Sequence, residues 1–309
     1  LLAGSCDLVG QAQTGTGKTA AFGLPLLQKI NPKSKEVQAL ILSPTRELGQ
    51  QIAKQLFKFT KYSDKIFTES VYGGERIEIQ IKNLKRPTHI VVATPGRLLD
   101  LVRRKAVDLR QVKTVVLDEA DEMLSMGFAE DLDAILGNTP KDKQTLLFSA
   151  TMPPDMLKLS KKYMTDPFEI SAGSKQETNT NVTHQYYKIN SRDRYPALKR
   201  AVDIAPDIYG IIFCRTRAET KEVAERLAED GYNTDALHGD LSQAQRDSVM
   251  GKFRKKTVQI LVATDVAARG IDVNDLTHVI HHNVPDQVES YTHRSGRTGR
   301  AGKKGISLA

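Results

Sequence analysis

Short apolar runs alternate with longer amphipathic stretches along almost the whole chain, and few features restrict a fold more. The runs Val37 to Leu42, His89 to Ala93, Val112 to Leu117 and Thr145 to Phe148 are β-branched and nearly continuous in apolarity. Strands of that kind are buried on both faces, as in a parallel sheet covered by helices. The stretches between them, such as Arg46 to Thr60 and Arg76 to Lys85, repeat their apolar residues at helical spacing. A polar segment, Ser171 to Asn181, breaks the rhythm and reads as a linker. The alternation then resumes with strands at His184 to Ile189, Ile211 to Cys214, Val258 to Val262 and His278 to Val284. Helices are expected between them at Thr216 to Asp230 and Ser242 to Lys255.

The expected fold class is therefore α/β, with two similar domains, each a mostly parallel sheet covered by helices. The boundaries are 1–172 for the first domain, 173–182 for the linker and 183–309 for the second. A length of 309 residues with 39% apolar content suffices for two cores. The formal charge of +8 favours an anionic partner without naming it. Cys6 and Cys214 are far apart and both fall in apolar runs, which supports neither a disulfide framework nor a thiolate zinc site. A cytoplasmic setting is expected, and no run approaches the ~18 apolar residues of a spanning helix. The start at Leu1 and the stop inside the run Ile306 to Ala309 read as two cut ends.

The segment Ala12 to Thr19, AQTGTGKT, follows the short run Asp7 to Gly10 and precedes a helix. A glycine-containing turn at a helix N-terminus aims backbone N–H groups at one spot, where the helix dipole also favours an anion. Phosphate is the expected occupant, cradled by Ala12, Gln13, Thr14, Gly15, Thr16 and Gly17. Lys18 would reach the β and γ phosphates, and the Thr19 hydroxyl would ligate Mg²⁺. A turn that merely caps a helix is the alternative, and Ala12 stands where the strict pattern has Gly. The strand ending at Leu117 runs into Asp118, Glu119, Ala120 and Asp121. Neighbouring residues of an extended strand face opposite ways, so Asp118 can serve Mg²⁺ while Glu119 activates the attacking water. An acid-rich helix start would look the same in isolation.

With D-E-A-D at 118–121 and AQTGTGKT in hand, the chain resembles the DEAD-box ATP-dependent RNA helicases, bacterial members especially. Further segments carry the likeness: PTRELG at 44–49, with Gly49 where Ala is usual, the pair Gly73 and Gly74, TPGR at 94–97 and SAT at 149–151. Phe213 to Thr216, Gln243 to Arg246, ATDVAARGID at 263–272 and HRSGRTGR at 293–300 continue it through the second half.

The resemblance implies two RecA-like domains closing over ATP, with Mg²⁺ as cofactor and RNA as partner. The activity it implies is ATP hydrolysis that unwinds short duplexes locally or remodels RNA–protein complexes. It further implies that Arg297 and Arg300 reach the γ-phosphate from the second domain, and that Gly270 and Asp272 lie at the nucleotide. A helix carrying positions 297 and 300 would project both arginines from one face. Asp121, Ser149, Thr151 and His293 are implied to couple the domains. The implied RNA contacts are Pro44, Thr45, Arg46, Gly73, Gly74, Thr94 and Arg97, then Thr216, Arg246, Thr264 and Arg269. Arg294 is left open as a further RNA-phosphate contact, whereas Arg103 to Lys105 and Arg254 to Lys256 read as solvated faces. The family's adenine-reading Gln motif lies upstream of where this chain begins. Two rival functions remain at this stage: an RNA clamp that binds ATP without turnover, and a translocating DNA helicase.

Overall fold

A computed structural model describes residues 6–12, 17–61, 65–172, 181–268, 271, 273, 275–300 and 302–309. The chain forms two compact units that divide between Lys175 and Gln176. In chain order the first unit contains β1 (Leu8–Ala12), α1 (Lys18–Lys29), β2 (Ala39–Leu42), α2 (Arg46–Phe59), β3 (Thr68–Val71), α3 (Ile77–Leu84) and β4 (Ile90–Ala93). It continues with α4 (Pro95–Arg103), β5 (Thr114–Asp118), α5 (Ala120–Ser125), α6 (Ala129–Gly137), β6 (Gln144–Ser149), α7 (Pro154–Tyr163) and β7 (Phe168–Ala172). Among the described residues its sheet has seven strands in the order β3-β4-β2-β5-β6-β1-β7. Every pairing is parallel.

The apolar strands divide their side chains between two cores, one on each face of the sheet, as period-two alternation requires. Leu40, Leu42, Val91, Val115 and Leu117 enter one core, while Ala39, Ile41, Ile90, Val92 and Val116 enter the other. Asp7 pins the start of β1: its two carboxylate oxygens accept from the Thr145 N–H at 2.6 Å and the Thr165 N–H at 2.7 Å. That anchorage fixes the strand that ends at Ala12, the first residue of AQTGTGKT.

The second unit runs β8 (Val182–Gln185), α8 (Arg194–Asp203), β9 (Gly210–Cys214), α9 (Arg217–Glu229), β10 (Thr234–Leu237) and α10 (Gln243–Arg254). It ends with β11 (Ile260–Thr264), α11 (Asp265–Ala268), β12 (His278–His281), α12 (Val288–Ser295) and β13 (Gly305–Leu308). Its six described strands are parallel in the order β10-β11-β9-β12-β13-β8. Again the strands feed two cores, Ile211, Phe213 and Leu261 on one face and Ile212, Val262 and Ile280 on the other.

Several expected boundaries move. Ser171, expected in the polar segment, belongs to β7, and Val182, expected in the linker, belongs to β8. The expected strand from His184 to Ile189 shifts to Val182–Gln185, and Tyr186, Tyr187 and Ile189 are exposed. Cys6 is also exposed and is not part of an apolar core. Arg103 to Lys105 and Arg254 to Lys256 are solvent-exposed, as their composition suggested. No helix of the described residues is long and apolar enough to cross a membrane.

Candidate nucleotide and RNA sites

In unit 1, β1, β5 and β6 end at the same edge of the sheet, and parallel pairing through β6 brings their C-terminal ends together. That edge is where open α/β sheets collect ligands. Gly17 caps α1 with φ of 89°, a left-handed conformation that glycine adopts without a Cβ penalty. Its carbonyl accepts from the N–H groups of Ala20 at 3.0 Å and Ala21 at 3.1 Å, which starts the helix directly after the turn. Lys18 is buried, and its Nζ donates to the Ala12 carbonyl at 3.1 Å. Gln13, Thr14, Gly15 and Thr16 lie outside the described residues.

Asp118 and Glu119 are both buried at the end of β5. Burial pushes the Asp118 carboxyl up to about 6, and Lys18 is close enough to pull it the other way. Strand alternation, expected to separate the two carboxylates, is not what sets them apart. Asp118 ends the strand, and Glu119 adopts φ 52° and ψ 50°, so a left-handed turn separates the two carboxylates. Such a conformation is strained for a residue with a side chain. The Glu119 N–H donates to Asp118 Oδ1 at 3.1 Å, and Glu119 Oε2 is buried with no hydrogen-bond partner. A buried carboxylate oxygen left without a partner is costly unless something occupies the site.

Asp121, one turn further, ties α5 to the end of β6. Its Oδ2 accepts from the Thr151 N–H at 3.0 Å and hydroxyl at 2.7 Å, while Ser149 Oγ donates to the Thr151 carbonyl at 2.6 Å. Three of the four residues expected to couple the domains thus form a bonded set within unit 1. His293, the fourth, is half-buried in α12 of unit 2.

The expected RNA contacts of unit 1 lie at the C-terminal ends of β2, β3 and β4, which are neighbours in the sheet. Pro44 and Thr45 are buried, and the Thr45 hydroxyl caps α2 by accepting from the Leu48 N–H at 3.3 Å. Gly49 is also buried, where a Cβ would come within 3.1 Å of Ser43 Oγ. Gly73 and Gly74 are exposed, with φ of 83° at Gly74. Thr94 caps α4 by its backbone alone. Arg97 donates from Nη1 to the Glu75 carbonyl at 3.0 Å and to Gln80 Oε1 at 2.8 Å. The Arg46 guanidinium sits 4.4 Å from the centre of the Tyr72 ring, whose hydroxyl accepts from Gln50 at 2.9 Å. Sequence reasoning missed Tyr72, Glu75 and Gln80, although a glutamine on the apolar face of α3, between Ile77 and Ile81, was a visible signal.

In unit 2, Thr216 caps α9 by accepting from the Glu219 N–H at 3.1 Å, and Thr264 Oγ1 accepts from the Ala267 N–H at 3.4 Å. Arg246 on α10 donates to the Ala267 carbonyl at 3.4 Å. Arg269, Gly270 and Asp272 lie outside the described residues. Arg297 and Arg300 do not ride on a helix: α12 ends at Ser295, Arg297 falls in the turn beyond it and Arg300 in the irregular stretch that follows. Arg297 is buried, with Nη1 donating to the Ile271 carbonyl at 3.4 Å, while Arg300 Nε donates to the Gly296 carbonyl at 2.9 Å. Arg294 is not a surface residue either. It is 4% exposed, and it makes a two-pronged contact with Asp265 at 2.5 and 2.6 Å.

Residues 1–159 match the DEAD/DEAH box helicase model. The chain belongs to this family. Residues 193–302 match the helicase conserved C-terminal domain. The DEAD-box ATP-dependent RNA helicase CshA of Bacillus cereus is 48% identical over 98% of this chain, which spans 57% of that relative's length. CshA of Bacillus subtilis is 47% identical over 98% of the chain and 61% of its own length. A solved structure of S. cerevisiae Dbp5 bound to RNA and ADP BeF3 is 31% identical, with a TM-score of 0.87, over 98% of this chain and 78% of that one. The chain thus carries both helicase-family domains and only part of the length of its bacterial relatives. Two parallel, helix-covered sheets of the RecA-like kind are the fold the family requires.

Proposed function

We propose that this chain is the ATP-hydrolysing core of an RNA helicase, which unwinds short RNA duplexes locally or remodels RNA–protein complexes. One observation carries the reading: Lys18, buried at a helix N-terminus, lies close enough to the buried Asp118 to act on its carboxyl, and the neighbouring Glu119 has a buried oxygen without a partner. Family membership supports it, as do the names of the CshA relatives.

A Mg²⁺ ion fits the donor set. Asp118 and the Thr19 hydroxyl are hard oxygen ligands, and the described residues hold no cluster of three or more His, Cys, Asp or Glu side chains that would form a cage. Mg²⁺ is commonly held in that way, by one or two protein oxygens together with phosphates and water. When bound, it would neutralise charge on the β and γ phosphate oxygens. Lys18 holds the same phosphates at the N-terminus of α1, where the helix dipole favours an anion. Glu119 orients the attacking water and takes its proton. Arg297 and Arg300 supply positive charge for the transition state from unit 2, with Gly270 and Asp272 beside the nucleotide. Asp121, Ser149, Thr151 and His293 couple nucleotide state to RNA grip.

RNA is held by its backbone at the loops containing Arg46, Gly73, Gly74 and Arg97 and, in unit 2, Thr216, Arg246, Thr264 and Arg269. Binding is therefore salt-dependent and weakly sequence-selective. ATP and RNA together favour a closed arrangement that strains the duplex, and phosphate release reopens it. The work available equals the differential affinity of the ligands for the two states.

The test is multiple-turnover ATP hydrolysis with and without single-stranded RNA, comparing the parent with Glu119→Gln. RNA should stimulate the parent, and the variant should bind ATP while losing roughly 10²- to 10⁴-fold in turnover. A variant as fast as its parent removes Glu119 from this role. Equal stimulation by DNA would favour a translocating DNA helicase, and RNA binding without turnover would favour a clamp.

A further inference from the structure

We infer that Gln80 is a positioning residue for RNA, a buried amide that locks three separate backbone-contacting segments of unit 1 into one geometry. The inference rests on the reading above that those segments grip RNA. Gln80 is 0% exposed, although it lies on α3, where Glu78 and Ile79 beside it face solvent. Its Nε2 donates to the Tyr72 carbonyl at 3.0 Å and to Glu75 Oε2 at 2.8 Å, so it spans both ends of the turn that contains Gly73 and Gly74. Its Oε1 accepts from Arg97 Nη1 at 2.8 Å, and the same Nη1 donates to the Glu75 carbonyl at 3.0 Å. Both hydrogens of that nitrogen are then committed, which sets the orientation of the planar guanidinium. Tyr72 extends the set to α2, because its ring lies beneath the Arg46 guanidinium and its hydroxyl accepts from Gln50.

Only a primary amide can do this. Two donors and one acceptor are used at once, and neither a carboxylate nor an aliphatic side chain offers both. A glutamate would also place a second charge against Glu75. Gly73 and Gly74, at the exposed centre of the turn, have no side chains with which to hold its shape. Gln80 therefore preorganises it against Arg97, so the ordering cost is met in folding and not in RNA binding.

The experiment uses Gln80→Leu, Gln80→Glu, Arg97→Ala and the double variant Gln80→Leu/Arg97→Ala. For each, the RNA concentration giving half-maximal ATPase, kcat at saturating RNA, KM for ATP, the melting temperature and the anisotropy of a labelled short single-stranded RNA are measured. In both Gln80 variants the half-saturating RNA concentration should rise about tenfold, equivalent to about 1.4 kcal/mol. The values of kcat and KM for ATP should stay within about twofold, and the double variant should be no weaker for RNA than Arg97→Ala alone. Unchanged RNA affinity in the Gln80 variants would overturn the inference, as would multiplying effects in the double variant. Collapse of fold in both Gln80 variants would overturn it too, leaving the residue a packing element only. Absence of RNA stimulation in the parent would strike at the ATPase reading alone, since the anisotropy arm still decides for Gln80.

Discussion

Replacing Arg294 with Met separates a structural arginine from an RNA-binding one. The guanidinium is almost sealed: Nε and Nη2 bridge the two Asp265 oxygens at 2.5 and 2.6 Å, and Nη1 donates to the Asn283 carbonyl at 2.7 Å. Its face lies 5.2 Å from the centre of the Phe213 ring. One side chain thus joins α12, α11, the loop after β12 and β9. Methionine keeps the stem and its packing but leaves Asp265 unpaired and the Asn283 carbonyl without its donor. Breaking a buried pair from one side costs about 3–5 kcal/mol. The Asp265 side chain is 36% exposed and regains some water, which points to the lower end, about 3 kcal/mol. Urea denaturation followed by tyrosine fluorescence suits a chain with nine Tyr and no Trp. Hydrogen exchange at α12 assigns the loss to unit 2. A stability of unit 2 within about 0.5 kcal/mol of the parent, with RNA affinity alone reduced, would refute the structural assignment.

Two further outcomes follow from unit 2. Burial pushes His281 down to about 3, and Arg294 and His184 add to the effect. The unfolded histidine, near 6.5, binds a proton that the folded ring refuses, so stability is full above that value and is lost on acidification toward 3, by about 2 kcal/mol at pH 5. His281→Phe keeps an aromatic ring stacked on Tyr291 and should flatten the pH slope between 7 and 5; an identical slope in variant and parent would contradict this. Gly210 lies opposite His278 in the parallel β9–β12 pair, and a Cβ there would come within 2.6 Å of the His278 carbonyl. Gly210→Ala should therefore cost about 1–3 kcal/mol in urea unfolding. Gly251→Ala on α10, where a Cβ meets nothing within 4 Å, should be neutral or stabilising. Equal effects at the two positions would be evidence against the strand geometry.

What could be read from the sequence followed burial. Central strands such as Ala39–Leu42 and Thr114–Asp118 are wholly buried and announce themselves as apolar runs. The edge strands β3, β7 and β10 were missed because one flank faces solvent and tolerates residues such as Glu69, Glu169 and Asp235. The buried pair Asp118 and Glu119 at the end of β5 was legible because it directly follows an apolar run. How the acids diverge was not, since the left-handed Glu119 leaves no mark in composition. The supposed helix at 297–300 ignored two glycines: Gly296 ends α12, and Gly299 takes φ of 69°. Arg294 looked like surface charge because its partner, Asp265, is 29 positions away in sequence.

The central proposal is that Arg297 and Arg300 stabilise the transition state of ATP hydrolysis. Single-turnover hydrolysis by Arg297→Ala, with ATP and RNA saturating and ATP binding measured separately, tests it most directly. The rate should fall about 10³- to 10⁵-fold while ATP remains bound. Hydrolysis at the parental rate would contradict the account.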